Sequence, residues 1–294
     1  MLSQIQSYKM PSVLKLAFKI LISILIIYII SKNVNISNML EFVVKSNGLL
    51  IGSATVLFIA SKIVSAVRYQ LFLEGEAVNV RFSENLKLYY LGMYYNLLLP
   101  GGISGDGYKI KVLMQNFNKD LKLLVKLTLI DRFSGVWALM QISLGLLLLL
   151  KPLASYFWLI GLLLIASFGI PWALNRIFKW MDSRSYGRIH LISLGVQLLQ
   201  TGSAICLIIA LGQKLHWIPY SFLFLISSLA AMLPITFGGA GAREVTFLYG
   251  TQYLQTEAES GVAIAFLFYL ISTIVSFFGI IYSFKPIKFS NKEK

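Results

Sequence analysis

The chain has 294 residues, 57% hydrophobic and 13% charged, with a mean hydropathy of +0.75. Soluble domains carry about 25% charged residues, so the composition excludes a water-soluble domain and points to an integral membrane protein. The formal charge of +14 would suggest nucleic acid in a soluble protein; here it is read as membrane orientation, and no nucleic-acid partner is expected.

In chain order, Lys9, Lys15 and Lys19 precede or flank LISILIIYII, part of an apolar run of about 20 residues that is too long for a signal peptide and has no small-residue cleavage site in ISKNVNISN. It reads as an uncleaved first span over 13–31. Asn35-Ile36-Ser37 is a formal glycosylation triplet in the loop that follows. Further spans of about 20 apolar residues are predicted over 48–67, 122–150, 153–174, 189–211 and 259–283, six in all. Lys62, near one end of the second, is expected to snorkel to the membrane surface. Two other hydrophobic regions, 86–114 and 217–250, are split near their middles by Pro and Gly, and each piece is expected to be too short to span alone. Tyr90 and Tyr94 share a helical face leading to the first split and suit either a head-group contact or an interfacial belt. Cys206, in the fifth span, excludes an internal disulfide, and with only His190 and His216 beside it no usual zinc site can be built. No cofactor is expected.

With the N-terminus inside, both flanks of 86–114 are basic (Arg68, Arg81 and Lys87 before it, Lys109, Lys111, Lys119, Lys122 and Lys126 at and after it), as are the 175–188 loop and the C-terminal tail, and 19 of the 26 Lys and Arg fall inside. A segment that begins and ends on one side is re-entrant. The order is then span, span, re-entrant, span, repeated with opposite starting side. The expected fold is an all-α polytopic membrane protein: about six transmembrane helices plus two re-entrant helical hairpins in an inverted-topology repeat, with both termini cytoplasmic. It forms a single transmembrane domain over 1–294, with halves 1–150 and 151–294. The alternative is an ordinary bundle with two kinked helices. Inverted repeats in transporters place the substrate site where broken helices meet.

Free backbone N–H and C=O groups cost several kcal/mol each in hydrocarbon, so the glycine turns at Pro100–Gly107 and Pro234–Gly241 are expected to meet each other or line a cavity. Asp106 reads as an N-cap of the exiting half-helix, a role compatible with a gate or substrate contact. A helix N-terminus already holding a carboxylate is a poorer anion trap, so phosphate binding is expected to fall to Lys109, Arg132, Arg243 and spare loop amides. In LTLIDRFSGVW, Asp131 and Arg132 stand roughly 13 Å into the third span. Each costs about 2.5–3.5 kcal/mol there, and such residues face the interior. A cross-repeat network is expected: Asp131 or Asp106 with Arg243, and Glu244 with Arg132 or Lys109. A purely structural ion network is the alternative.

Three motifs, L-L-P-G-G-x-x-G-D-x-x-[R/K] from Leu98, D-R-x-x-G from Asp131 and P-x-x-x-G-G-x-G-x-R-E from Pro234, together resemble the lysylphosphatidylglycerol synthase transmembrane family, over nearly the whole chain. That family is the flippase-type membrane domain of multiple peptide resistance factors, found also as stand-alone inner-membrane proteins and beside polyprenyl-linked glycosyltransferases. The resemblance implies a functional set of Asn96, Pro100, Gly105, Asp106, Asp131, Arg132, Gly238, Gly239, Arg243 and Glu244, to which Lys109 is added from its place beside the turn. It implies a cell-membrane (inner-membrane) location. Ser104 and Lys109 depart from the family's usual Gly and Arg; lysine lacks the bidentate grip of arginine. The synthases' soluble aminoacyl-transferring domain has no counterpart here, so lysyl transfer is not expected.

Three functions fit. The first is a flippase or scramblase, moving an anionic or glycosylated lipid (a phospholipid or a polyprenyl-phosphate-linked lipid) through a polar cavity at the repeat interface. The second is a membrane enzyme with Asp106, Asp131 and Glu244 as acid–base groups, although no nucleophile–base pair, metal cluster or nucleotide loop is visible and a non-enzyme is expected. The third is a scaffold for a glycosyltransferase or lipid-modifying enzyme.

Overall fold

In a computed structural model, the described residues are 28, 32, 35–98, 104–150, 155–178, 183–232, 241–285 and 287–290. The predicted span over 13–31 and the turn residues Pro100, Pro234, Gly238 and Gly239 lie outside them. All regular structure among the described residues is helical.

The short α1 (Ile36–Val44) leads to α2 (Gly48–Gly75), whose start is fixed by Asn47: its side chain accepts from the N–H groups of Leu49 at 3.0 Å and Leu50 at 3.4 Å. Such a cap contributes about 1 kcal/mol. α2 runs past its predicted end at residue 67 because the polar residues there find partners inside the protein. Gln70 donates to the Val80 carbonyl, and Asn85 reaches back to the Ala66 carbonyl at 2.7 Å.

The first split region forms α3 (Phe82–Leu98) and α4 (Ser104–Phe117). They run antiparallel: Gly92 lies against Gly105, and Asn96 Oδ1 accepts from the Gly105 N–H at 2.8 Å. α5 (Leu121–Leu147), α6 (Phe157–Phe178) and α7 (Ser183–Ala210) follow. After a 3₁₀ turn at Lys214–His216, the second split region forms α8 (Trp217–Met232) and α9 (Ala242–Leu254). This pair is also antiparallel, with Gly250 packed on Leu223 near one end and Arg243 beside Ser228 near the other. α10 (Ala258–Phe277) and the short α11 (Ile280–Phe284) complete the order.

Four stretches among the described residues are helical, long and apolar enough to cross a membrane: Gly48–Gly75, Tyr186–Ala210, Lys214–Met232 and Ala258–Phe284. Three coincide with predicted spans. The fourth corrects the sequence expectation, since the first piece of 217–250, extended by its 3₁₀ turn, is long enough to span alone. α5 has the length of a span but carries Lys122, Lys126, Asp131 and Arg132, and α6 is apolar over Phe157–Gly169.

The helices interlock reciprocally. α2 packs along α7 in antiparallel sense, with Ser203 Oγ donating to the Ala54 carbonyl at 2.8 Å near one end and Arg68 reaching Ser193 near the other. Ala54 and Ser203, small residues in contact at this seam, are both fully buried and let the backbones approach, which is how helices gain packing energy in a membrane. α3 lies against α10, and α8 lies against α5. Each split pair therefore touches the last long helix of the other half.

Candidate functional site

The two helical hairpins face a common cavity of about 340 Å³, with further walls from α2, α5, α7 and α10. Its lining includes five cationic side chains (Lys62, Arg68, Lys109, Arg132, Arg243) and two carboxylates (Asp106, Asp131). Burying any one of them alone in an apolar setting is costly, so the partners decide the energetics.

Asp131 is held by Arg68, whose Nε donates to Oδ1 at 2.8 Å while Nη1 donates to Ser193 Oγ at 3.1 Å. Gly135, one turn along α5, makes room for this guanidinium: a Cβ there would stand 3.1 Å from Arg68 Nη1. The glycine of D-R-x-x-G is thus the seat of an arginine contributed by another helix. Gln197 closes the same corner by donating to the Gly135 carbonyl at 3.1 Å.

Asp106, 5% exposed, takes two cations. Lys109 Nζ lies 2.7 Å from Oδ1, and Arg132 Nε donates to Oδ2. Lys109 also sits over the Tyr69 ring at 4.5 Å and the Tyr89 ring at 5.1 Å, which replaces part of its hydration. Asp106 is the third residue of α4; the sequence suggested an N-cap, but among the described residues its carboxylate serves the two cations and accepts no backbone N–H.

That capping role falls to Glu244, whose Oε2 accepts from the Gly241 N–H at 2.7 Å. Gly241 has φ +83°, a conformation glycine adopts without strain, and this brings the chain into reach of the third residue of α9. It is the carboxylate half of a capping box. Glu244 is thereby turned away from the cavity. Arg243 faces it, with Nη1 donating to Ser228 Oγ at 2.9 Å and Ser227 Oγ at 3.4 Å, and its guanidinium carbon over the Phe268 ring at 5.0 Å.

The cross-repeat ion network is thus corrected. Neither Asp106 nor Asp131 pairs with Arg243, and Glu244 pairs with neither Arg132 nor Lys109. Glu244 is consumed by its own helix end, and Arg68 reaches Asp131 first. Of the candidate residues, Asn96, Asp106, Lys109, Asp131, Arg132 and Arg243 line the cavity; Gly105 lies behind it as the crossing point of α3 and α4. Gly238 and Gly239 lie outside the described residues.

Two lining residues were misread in sequence. Arg68 was counted as a cytoplasmic flank charge and is 5% exposed inside the protein. Lys62 does not snorkel outward: it faces the cavity with Nζ over the Phe58 ring at 4.5 Å. A signal for both was present, because Ser61, Lys62, Ser65, Arg68 and Tyr69 follow the i, i+3/i+4, i+7 spacing of one helical face.

The fold and this site define a multi-pass helical membrane protein with a charged cavity built inside it. The chain belongs to the family described as Lysylphosphatidylglycerol synthase TM region, which matches residues 16–279. That membership ties the protein to membrane lipid function. Comparison with curated proteins gives no match.

Proposed function

We propose that the protein translocates an anionic or glycosylated lipid across the cell (inner) membrane, as a flippase or scramblase, with the head group passing through the charged cavity and the acyl or prenyl tails left in the bilayer. The observation that carries this reading is the cavity itself: polar and charged side chains of both hairpins converge on it within an otherwise apolar helix bundle. Discontinuous helices meeting at such a site are the usual architecture of alternating access.

The reading includes an inverted repeat with halves 1–150 and 151–294, in which α3–α4 and α8–α9 are re-entrant from opposite faces and both termini are cytoplasmic. Supporting it are the antiparallel packing of α2 on α7 and the reciprocal contacts of α3 with α10 and α8 with α5. Both hairpins also end on a non-glycine residue of positive φ, Asn118 at 46° and Gln255 at 54°. The enzyme reading is weakened because Asp106 and Asp131 are already engaged in salt bridges, which leaves neither carboxylate open to a substrate. A partnership with a glycosyltransferase or lipid-modifying enzyme is compatible with translocation, which would supply that enzyme's lipid.

Two measurements test it. In a Cys206→Ser background, a single cysteine at Asn118 should react with an impermeant thiol reagent only from inside, and one at Gln255 only from outside; labelling of both from one side rejects the repeat. In proteoliposomes carrying a fluorescent phosphatidylglycerol, the fraction bleached by external dithionite should rise from about half to nearly all. Bleaching that stays at half in vesicles containing folded protein rejects passive translocation of that lipid.

A further inference from the structure

The ion pairs use the cavity's charges unevenly. Arg68 neutralises Asp131, and Lys109 and Arg132 share Asp106. Lys62 and Arg243 have no carboxylate partner among the described residues. The intervening sequences 99–103 and 233–240 contain no ionisable residue that could supply a counter-charge.

These two cations are neighbours brought from opposite halves of the chain. Lys62 on α2 lies over Phe58, and Arg243 on α9 lies over Phe268 and Phe224. The three rings form one cluster, with Phe58 to Phe268 centroids 5.4 Å apart and Phe224 to Phe268 4.6 Å apart. Both side chains line the same cavity. Among the described residues neither is saturated: Lys62 Nζ donates no hydrogen bond, and Arg243 makes its side-chain hydrogen bonds through Nη1. Two cations with open donors, held on the faces of one aromatic cluster in a cavity whose carboxylates are already engaged, are chemically matched to a tetrahedral oxyanion with several acceptor oxygens.

Building on the translocation reading, we propose that Lys62 and Arg243 form a phosphate-binding clasp, and that the cavity accepts a head group whose phosphate carries no compensating amine. A lysylated phosphatidylglycerol head, the one in the family's name, bears two ammonium groups against one phosphate. It would add positive charge to a cavity that already holds five cations and two carboxylates. The clasp therefore selects against it.

The test measures binding to the purified full-length protein in neutral detergent by calorimetry, using short-chain phosphatidic acid, phosphatidylcholine, lysylphosphatidylglycerol and inorganic phosphate as probes. Phosphatidic acid should bind at least tenfold more tightly than phosphatidylcholine or lysylphosphatidylglycerol. Lys62→Gln and Arg243→Gln should each lose about tenfold for phosphatidic acid, and Lys62→Arg should retain it. Lys45→Gln, at the exposed pair with Glu41, should be without effect. Inorganic phosphate bound as tightly as phosphatidic acid, with the same dependence on both cations, supports the clasp and makes its source a soluble anion. Equal affinity for anionic and amine-bearing lipids in the wild type overturns the proposal whatever the variants do, as does unchanged binding in both folded Gln variants. The proteoliposome assay is independent: a protein that binds phosphatidic acid through both cations but moves no lipid keeps the clasp and loses the translocation reading.

Discussion

The two hairpins solve one backbone problem with opposite uses of charge. Each packs a pair of helices antiparallel across a glycine, and each has an acidic residue in the first turn of its second helix. In α3–α4 the acid, Asp106, points into the cavity and is locked by Lys109 and Arg132. In α8–α9 the acid, Glu244, folds back onto the Gly241 N–H and leaves Arg243 facing the cavity without an acidic partner among the described residues. One hairpin brings a neutralised anion to the site; the other brings an open cation. Similar motifs can therefore give unlike surfaces, because the first residues of a helix can either satisfy the orphan N–H groups or serve a neighbour, and one carboxylate seldom does both.

The largest expected effects come from the first hairpin's locked charges. Asp106→Asn removes the carboxylate shared by Lys109 and Arg132, and Asp131→Asn removes that of Arg68; removing one partner of a buried pair costs about 3–5 kcal/mol. Thermal unfolding in detergent should show both well below wild type. If Asp106→Asn is neutral, Asp106 is not holding Lys109 and Arg132.

A double-mutant cycle sharpens the contrast. Arg68 with Asp131 should couple by about 2 kcal/mol or more, within the range for residues in direct contact. Arg243 with Asp131 should couple by no more than about 0.5 kcal/mol, as expected for groups without a shared partner. The reverse result would restore the cross-repeat network.

The glycine crossings differ as well. A Cβ at Gly105 would collide with the Gly92 carbonyl, which is backbone and cannot move aside, whereas one at Gly250 would meet the Leu223 side chain, which can rotate. Gly105→Ala should cost about 3 kcal/mol and Gly250→Ala about 1 kcal/mol, the upper and lower ends of overpacking. Gly107→Ala, with nothing within 4 Å of its added Cβ, serves as the control in the same melts.

The smallest effect is expected at the second hairpin's acid. Glu244→Gln retains an acceptor for the Gly241 N–H and should cost no more than about 1 kcal/mol, the scale of a helix cap. A loss as large as that of Asp106→Asn would mean that Glu244 serves the cavity after all.

The membrane class, the two broken regions and the interior position of Asp131 followed from the sequence, because each rests on a local property: hydropathy, helix-breaking residues, or the cost of a charge within an apolar run. Lys214–Met232 shows the limit of that method, since the 3₁₀ turn that lengthens the helix is not marked by composition. The candidate residues themselves were legible as motifs; their partners were not. Arg68 looked like a flanking charge because only α5 and α7, distant in sequence, supply Asp131 and Ser193 to receive it. Asp106 and Glu244 are interchangeable on paper as acids opening a helix. Which one caps and which one faces the cavity is decided by what surrounds each: Arg132 within reach of the first, and a left-handed Gly241 beside the second. Local chemistry determined that this chain buries charge inside a membrane protein, and tertiary packing alone decided which charges are cancelled and which stay open.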